Sequence, residues 1–483
     1  MGGEWEVMSV AELQAAGALL VEDGNHGENR PRPDEFSTEG IQFIRAADMD
    51  SGRVLFERAQ RINEVARQRL QKGIGAGGDV LLSHKGTVGK VAYVPLDAPP
   101  FVCSPQTTFW RVKDVKQLDR RYIYFYLLSR AFRDQLDSRK GETDMADYVS
   151  LTTQRTLKVT VPPLAVQKAI ASVLGALDDK IEVNRRMNAT LEAMARALFQ
   201  SWFIDFDPVR QNMDRNQNQP SPGLRPPSPT GRGAGGEGAA GLDFDPVRLR
   251  LSYGGQVRAR MDSRQPAGLD PATAALFPEH LEESPLGHIP KGWTTKPLPE
   301  AVEVNPRRTL KSGSIAPYLD MKNLPTQGHS ADEVVDREFT SGTKFQNGDT
   351  LLARITPCLE NGKAGYVDFL EDGQVGWGST EYIVLAPKPP LPPQFGYLLA
   401  RSDALRAHAI QNMTGTSGRQ RVPSDCFDKF LLAVPTPEIA HRFDDLTAPL
   451  MAKIKANTLE SRTLATLRDT LLPKLLSGEL RVA

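Results

Sequence analysis

The side chains in this sequence that could do chemistry are arginine, lysine and glutamine residues in and beside glycine-rich turns, a set suited to binding. In the second half of the chain, residues 415–421 read GTSGRQR and contain Arg419, Gln420 and Arg421. The forked donors of arginine match the acceptor edge of guanine, and the glutamine amide matches adenine in the major groove of DNA. Charged glycine loops are commonly only solvated, so a plain surface loop is the alternative interpretation.

The first half of the chain contains a comparable set of polar side chains. Arg139 and Lys140 lie just ahead of the place that matches the GTSGRQR loop. Lys85 follows a predicted strand within three residues, as Arg354 does in the second half, and Gln106 lies in the segment SPQTTF. We expect all of these side chains to contact DNA, some at phosphates and some at base edges.

A local excess of positive charge covers residues 111–140, which carry nine Lys and Arg against four Asp. Such an excess suits a phosphate backbone. The aromatic side chains interleaved with it could stack on bases, but their tight clustering favours a place in the core. These aromatic residues are Tyr122, Tyr124, Phe125 and Tyr126.

The motifs that would support catalysis are incomplete in this sequence. Neither Gly89–Lys90 nor Gly362–Lys363 completes a phosphate-binding loop, because the glycine required five positions earlier is missing in both. The seven histidines and three cysteines have no metal-ligand spacing and form no CxxC pair. We therefore expect no catalytic residue, no metal and no cofactor in this chain.

The composition is that of a globular protein that is not a general polyanion binder. The chain has 483 residues, 40% of them hydrophobic, and 59 Lys plus Arg balance 59 Asp plus Glu. Any contact with nucleic acid must therefore be local. No apolar run approaches the 18 or so residues of a membrane span, so we expect a cytoplasmic protein with no membrane partner.

The chain repeats itself. The block GDVLL at residues 78–82 returns as GDTLL at 348–352, and GKVAYV at 89–94 returns as GKAGYV at 362–367. From Val161 onward the two copies keep a constant register, in which Val161 corresponds to Val434. Each copy mixes short strands with helical stretches such as residues 122–136 and 395–411. The fold class expected is mixed α/β, with two copies of one domain and a pseudo-two-fold repeat.

Each copy ends in a long amphipathic helix. The apolar positions recur at three- and four-residue steps, which predicts a coiled-coil pair with a buried asparagine pair that fixes its register. The alternative is two exposed asparagines on unrelated helices, and Pro473 should kink or end the second helix. The residues of these helices expected to serve partner binding are Ile181, Asn184, Leu191, Leu198, Ile454, Asn457, Leu464 and Leu471.

A low-complexity stretch interrupts the chain between the two copies. Residues 219–241 contain five Pro and seven Gly, and the hexapeptide DFDPVR flanks them at 205–210 and 243–248, which indicates an insertion into a flexible connector. The predicted segments are a first recognition domain (1–160), a first helix (161–206), a linker (207–290), a second recognition domain (291–433) and a second helix (434–483).

With these features in place, the sequence resembles a specificity (S) subunit of a type I restriction-modification system. The resemblance rests on residues 161–206 (VPPLAVQ to SWFIDF), on GETDMADYVSL at 141–151 and on LLPKLLSGEL at 471–480. It implies two target-recognition domains held apart by antiparallel spacer helices, each reading half of a bipartite site in double-stranded DNA.

The resemblance also implies which partners carry the chemistry. Methyltransferase (M) subunits, expected as a pair docked on the spacer helices, methylate adenine with S-adenosylmethionine, and restriction (R) subunits use ATP and cleave. The insertion leaves open an assembly protein with lost or altered DNA specificity. A fused methyltransferase–nuclease would need an NPPY-like tetrad and a cofactor glycine motif, and neither is in the sequence.

Overall fold

A computed structural model describes residues 5–26, 29–140, 147–217, 269–416 and 418–481. The described residues group into two units. The first contains residues up to 181 and from 463 onward, and the second contains residues 182–462. Among the described residues, no helix combines the length and the apolar character that a membrane crossing requires.

In the first unit, short strands joined by turns surround a few helices. The strands are β1 (Glu6–Ser9), β2 (Leu19–Asp23), β3 (Phe36–Ser37), β4 (Ile41–Ile44), β5 (Met49–Asp50), β6 (Gly52–Val54), β7 (Gln60–Ile62), β8 (Ile74–Gly75), β9 (Val80–Ser83), β10 (Val91–Tyr93), β11 (Phe101–Cys103), β12 (Thr107–Val112) and β13 (Lys158–Val161). The helices are α1 (Val10–Ala15), α2 (Glu64–Arg69), α3 (Arg120–Leu128), α4 (Arg130–Asp137), α5 (Leu151–Thr156) and the start of α6 (Leu164–Phe199).

Two larger sheets form this unit. One has the strand order β2-β12-β9-β10-β6-β5, the other has the order β3-β7-β4-β11-β8, and β1 pairs separately with β13. Strand β9 is buried along its whole length because it lies inside the six-stranded sheet, which explains its unbroken apolar sequence. The four clustered aromatic residues of α3 are buried, as the core interpretation predicted.

The second unit repeats this plan with fewer strands. Its strands are β14 (Leu281–Ser284), β15 (Gly287–Pro290), β16 (Thr294–Pro297), β17 (Val302–Val304), β18 (Ile315–Leu319), β19 (Val335–Glu338), β20 (Thr343–Phe345), β21 (Thr350–Ala353), β22 (Ala364–Tyr366), β23 (Gly376–Gly378), β24 (Tyr382–Pro387) and β25 (Leu431–Val434). Its helices are α7 (Asp207–Gln217), α8 (Pro271–Ala274), α9 (Leu298–Ala301), α10 (Pro393–Ala400), α11 (Asp403–Gln411) and α12 (Pro437–Leu476), whose last turns belong to the first unit.

The main sheets of this unit have the orders β17-β24-β21-β22 and β19-β18-β23-β20. Strand β16 pairs with β25 as β1 pairs with β13, and β21 lies between β24 and β22 as β9 lies between β12 and β10. The mixed α/β class and the internal repeat predicted from the sequence are therefore confirmed.

The helical stretches predicted over 122–136 and 395–411 are each broken in two. Ser129 has an extended backbone between α3 and α4, and its hydroxyl accepts a hydrogen bond from the Phe132 amide at 3.2 Å. Ser402 does the same for Leu405 at 3.3 Å. A serine that caps the next helix ends the preceding one, because its backbone leaves the helical conformation.

The repeated Gly-Asp motif is a structural element. Asp79 is 1% exposed and pairs with Arg111, at 2.7 Å from Oδ2 to Nη2, while also accepting from the Ala76 amide at 2.8 Å. Asp349 is 2% exposed and pairs with Arg308 at 2.7 Å. Both carboxylates therefore close the turn that leads into the central strand of their unit.

The two long helices pack antiparallel to each other. In the second unit, Asn184 donates a hydrogen bond to Ser461 and Asn188 donates one to Thr458, both at 3.2 Å. Residue numbers therefore increase along one helix as they decrease along the other. In the first unit, Asp178 of α6 pairs with Arg468 of α12 at 2.6 Å. The prediction of two antiparallel helices is confirmed.

The ends of these helices differ from the sequence prediction. The α-helix α6 ends at Phe199, and a wider π turn, Gln200–Ile204, follows it inside the segment predicted as the first helix (161–206). The prediction that Pro473 kinks or ends α12 is wrong about the end, since the helix continues to Leu476. The ring of proline removes one amide donor, and a single lost bond in the final turns does not stop a packed helix.

A tyrosine from each globule is anchored to a carboxylate on helix α6. In the first unit, burial raises the pKa of Tyr124, and Asp178, which hydrogen-bonds its hydroxyl, adds to the rise. In the second unit, Tyr397 donates to buried Glu192 at 2.7 Å and accepts from Arg401 at 3.1 Å. These contacts fix each globule on the helix surface.

The first DFDPVR copy is well packed. Phe206 has a left-handed φ of 55° and lies edge-on to Trp293 with the ring centroids 5.6 Å apart, and Val209 in α7 is fully buried. The second copy and the Pro/Gly-rich stretch lie outside the described residues. The predicted five-segment division, which treats the helices as separate segments, remains a prediction.

We expect the substitution Asp79→Ala to lower the free energy of unfolding by about 3 kcal/mol, because it leaves the partly buried guanidinium of Arg111 without its partner. Urea denaturation followed by tryptophan fluorescence measures the change. Asp134→Ala is the matched control, because its pair with Arg130 is exposed and contributes about 0.5 kcal/mol or less. Equal losses for the two variants would contradict this role of Asp79.

Candidate nucleic-acid interface

The candidate interface begins where the central strand of each unit ends. In the first unit the chain leaves β9 through His84 and Lys85, and the His84 amide donates to the Gln106 carbonyl at 2.9 Å. The Val149 amide donates to the His84 carbonyl at 2.9 Å, and Lys85 forms a β-bridge with Tyr148. This backbone frame brings together three segments that are distant in sequence.

The second unit builds the same frame after β21. The Arg354 amide donates to the Glu381 carbonyl at 3.0 Å, the Val422 amide donates to the Arg354 carbonyl at 2.8 Å, and Ile355 forms a bridge with Arg421. Each contact has its counterpart in the first unit. We call the two frames, with the side chains they carry, strand-end surface 1 (residues 84–86, 106 and 147–149) and strand-end surface 2 (residues 354–356, 381 and 420–422).

The matched frames settle which residues correspond. Arg354 corresponds to His84, whereas Lys85 corresponds to Ile355. The basic residue that follows β9 and the one that follows β21 therefore occupy positions that differ by one residue. Arg421 corresponds to Tyr148, as the constant register of 273 in the second part of the repeat requires.

Surface 1 carries one cation, Lys85, and one exposed anion, Asp147, beside neutral groups. Lys85 is exposed with Nζ 5.6 Å from the ring centroid of Tyr148, and Gln106 is exposed beside it. Behind them His84 is fully buried, and its Nδ1 lies 3.0 Å from the Val149 carbonyl while its Nε2 has no partner. Burial lowers the pKa of His84, which keeps the ring neutral at neutral pH.

Arg139 and Lys140 are not joined to surface 1. Arg139 donates to the Gln135 carbonyl at 3.0 Å, and Lys140 pairs with Asp137 at 2.5 Å, so both side chains fold back on helix α4. Within the described parts of the chain, no hydrogen bond links either to Lys85 or Gln106. The GETDMA residues that follow them, at 141–146, lie outside the described residues.

Surface 2 carries more charge than surface 1. Arg421 makes a fork with Glu381, from Nη2 to Oε1 at 2.8 Å and from Nε to Oε1 and Oε2 at 2.9 and 3.0 Å. This hydrogen-bonded pair raises the pKa of Arg421. Arg419 is exposed, and Arg354 is half-buried with its Nε atom lacking a partner.

Gln420 has a backbone role in this surface. Its amide donates to Thr356 Oγ1 at 3.1 Å, and its carbonyl accepts from the Thr356 amide at 3.0 Å. Its side chain is half-buried. The structure thus gathers Arg354, Gln420 and Arg421 into one surface and holds Arg419 next to them.

Tyr148 and Glu381 also lie in these surfaces, and neither was among the site residues predicted from the sequence. Neither belongs to a glycine loop or a basic run, and each is recognisable only after its segment is paired with the central strand. The signal available in the sequence was the repeat itself, because the register that aligns Val161 with Val434 also aligns Tyr148 with Arg421.

The asparagines of the helices form the polar seam that the sequence predicted. Asn184 and Asn457 are 0% and 1% exposed. Asn184 Nδ2 donates to Glu460 at 2.8 Å and to the Asn457 carbonyl at 3.3 Å, and Asn457 Nδ2 donates to Asn188 at 2.9 Å. The Nδ2 groups of both asparagines reach these acceptors only in this register, so the seam fixes the alignment of the two helices.

The other helix residues expected to serve partner binding face inward to different degrees. Ile454 is buried, and Leu191 and Leu198 pack on the core of the second unit. Leu471 packs on the core of the first unit, and Ile181 and Leu464 are half-buried. Direct partner contact by these side chains remains a prediction. No group of three or more potential metal ligands occurs among the described residues.

Comparisons with known proteins show what the chain is similar to. Residues 4–193 match the family described as "Type I restriction modification DNA specificity domain". The chain is 22% identical to the type I restriction enzyme HindI specificity subunit of Haemophilus influenzae, over 95% of this chain and 98% of that protein. It is also 22% identical to the MjaIX specificity subunit of Methanocaldococcus jannaschii, over 92% of this chain and 87% of that protein.

Among solved structures, the chain is similar to a type I restriction-modification S subunit from M. genitalium, with 13% identity, a TM-score of 0.48, and coverage of 98% of this chain and 96% of that one. The resemblance seen in the sequence is confirmed. Over nearly its whole length, the chain is similar to type I restriction-modification specificity subunits.

We expect Asn184→Asp to destabilise the helix pair by about 2–4 kcal/mol at neutral pH, because a buried carboxylate would then face Glu460 and a backbone carbonyl. Burial and like charge raise the pKa of the introduced carboxylate, so its penalty is present above that pKa and is relieved as the pH falls through it. Thermal unfolding of the variant and of the parent between pH 7 and pH 5 measures this difference. A constant difference across that range would contradict the seam.

Proposed function

We propose that this chain binds double-stranded DNA through both globules, each reading one half of a bipartite sequence, and that it positions partner subunits on that DNA. The observation that carries the proposal is the pair of strand-end surfaces. The same backbone frame occurs twice in one chain, and the side chains on it differ: Lys85 and Gln106 on one, Glu381 and Arg421 on the other.

The chemistry of these surfaces suits DNA. Exposed lysine and arginine supply phosphate contacts, and forked arginine, glutamine and glutamate side chains supply donors and acceptors for base edges. The net charge of the whole chain is zero, so attraction to DNA has to come from such local groups. Two equal frames with unequal side chains fit a target whose two halves differ in sequence.

The partners follow from the family and from the helix pair. The relatives are named as specificity subunits of restriction enzymes, so we propose that methyltransferase and restriction subunits carry the catalysis, with S-adenosylmethionine and ATP bound to them. The duplicated helices offer two related docking surfaces, which supports two methyltransferase subunits. The chain itself then needs no cofactor.

Mapping adenine methylation in DNA from cells that express this chain with its methyltransferase subunit tests the proposal. We expect a split sequence with a fixed unspecific gap, absent when the methyltransferase is expressed alone. Assembly of the two proteins without new methylation would favour the alternative, an assembly protein whose DNA specificity was lost through the insertion.

The two surfaces should act on separate half-sites. We expect the double substitution Lys85→Ala with Gln106→Ala to weaken binding about tenfold for one half-site, and Arg419→Ala to weaken binding for the other, because each good base or phosphate contact is worth about 1–3 kcal/mol. Competition binding with DNA mutated in one half at a time measures this. Equal loss for both halves would show that the variants act through folding.

A further inference from the structure

Among the residues that the structure describes, Glu381 takes up one edge of the Arg421 guanidinium, and no hydrogen bond uses the other edge. Glu381 accepts hydrogen bonds from Nε and from Nη2, all between 2.8 and 3.0 Å. The remaining N–H groups, both on Nη1 and one on Nη2, lie on the outer edge of the same planar group. The Arg421 side chain is 45% exposed, so this edge is open to a ligand.

That outer edge matches the acceptor pair of guanine. Guanine presents O6 and N7 side by side in the major groove, and two parallel N–H donors from one guanidinium satisfy both. An unsupported arginine must lose its rotamer freedom to adopt this geometry, whereas a guanidinium already held in a fork has lost it beforehand.

We propose, as an inference that rests on the proposed function, that Glu381 is a specificity-determining residue. It orients Arg421 so that the outer edge of the guanidinium selects guanine at one position of the half-site bound by the second unit. Glu381 acts as a positioning residue, and Arg421 makes the base contact. A pyrimidine or adenine at that position would leave one of the two donors without an acceptor.

A purely structural role explains the pair less well. The backbone already fixes this loop, since Arg421 and Thr414 exchange amide bonds at 2.8 and 2.9 Å and the Val422 amide donates to Arg354 at 2.8 Å. An exposed ion pair adds little stability to a segment anchored in this way. The side-chain pair is therefore available for another purpose.

The first unit provides an internal comparison. Gln106 occupies the place of Glu381 and Tyr148 the place of Arg421, so surface 1 has neither the fork nor its guanidinium. The amide of Gln106 suits adenine instead. The guanine requirement should therefore occur in one half-site only.

The test uses the full chain in complex with its methyltransferase subunit and a pool of DNA with randomised half-sites. The parent should select a split sequence with guanine at one position of one half. Glu381→Gln, which keeps the size of the side chain but removes its charge, should reduce that preference about tenfold, and Arg421→Lys should do the same. The other half of the sequence and the melting temperature should stay unchanged. Glu371→Gln, at an exposed position of the same unit, is the matched control.

The outcomes separate the two proposals. If the parent selects no split sequence, the proposed function itself fails. If the parent selects one and both variants keep its guanine preference, the assignment of Glu381 is overturned while the function stands. A lowered melting temperature with weaker binding to both half-sites would also overturn the assignment, because it would show that the pair stabilises the loop.

Discussion

The structure depends on one constraint: the apolar faces of its two long helices have to be buried. Helices α6 and α12 contain 36 and 40 residues, and an amphipathic helix of that length is stable in water only if its apolar stripe is buried. Here each stripe lies against the other helix and against the core of a globule. The carboxamide N–H groups of Asn184 and Asn457 fix the alignment of the two helices. A shift by one turn would bury these groups without acceptors, at a cost of about 1–3 kcal/mol each.

The strand-end surfaces show how one fold can carry two different binding chemistries. Their backbone hydrogen bonds correspond one to one, so the shape of the support does not depend on the exposed side chains. The residues just behind differ as well, with neutral His84 in one surface and the cation Arg354 in the other. On the proposed function, recognition is thus separated from folding: buried strands and Asp79 and Asp349 hold the frame, and the exposed side chains differ between the two surfaces.

Much of this architecture could be predicted from the sequence because its signals are local. The repeat, the buried strands, the long helices and the asparagine seam all follow from short blocks and periodic spacing. The candidate interface could be predicted only in part. Gln106 and Lys85 were found, but Glu381 was not, because its pairing with Arg421 joins residues 40 positions apart through a sheet. The breaks at Ser129 and Ser402 were missed because a capping serine looks like any polar residue on a helix.

The anchoring tyrosines have a consequence for genetic exchange. In the first unit, Arg468 of helix α12 pairs with the anchoring carboxylate of Asp178, whereas in the second unit Arg401, from the globule itself, donates to the anchoring tyrosine hydroxyl. A second-type globule grafted onto the helix surface around Asp178 would bring its own arginine to a tyrosine whose carboxylate partner already pairs with Arg468, so two guanidinium groups would meet in a partly buried place. On the proposed function, a gene segment that exchanges one recognition domain therefore has to extend beyond the globule, into the helix residues that face it.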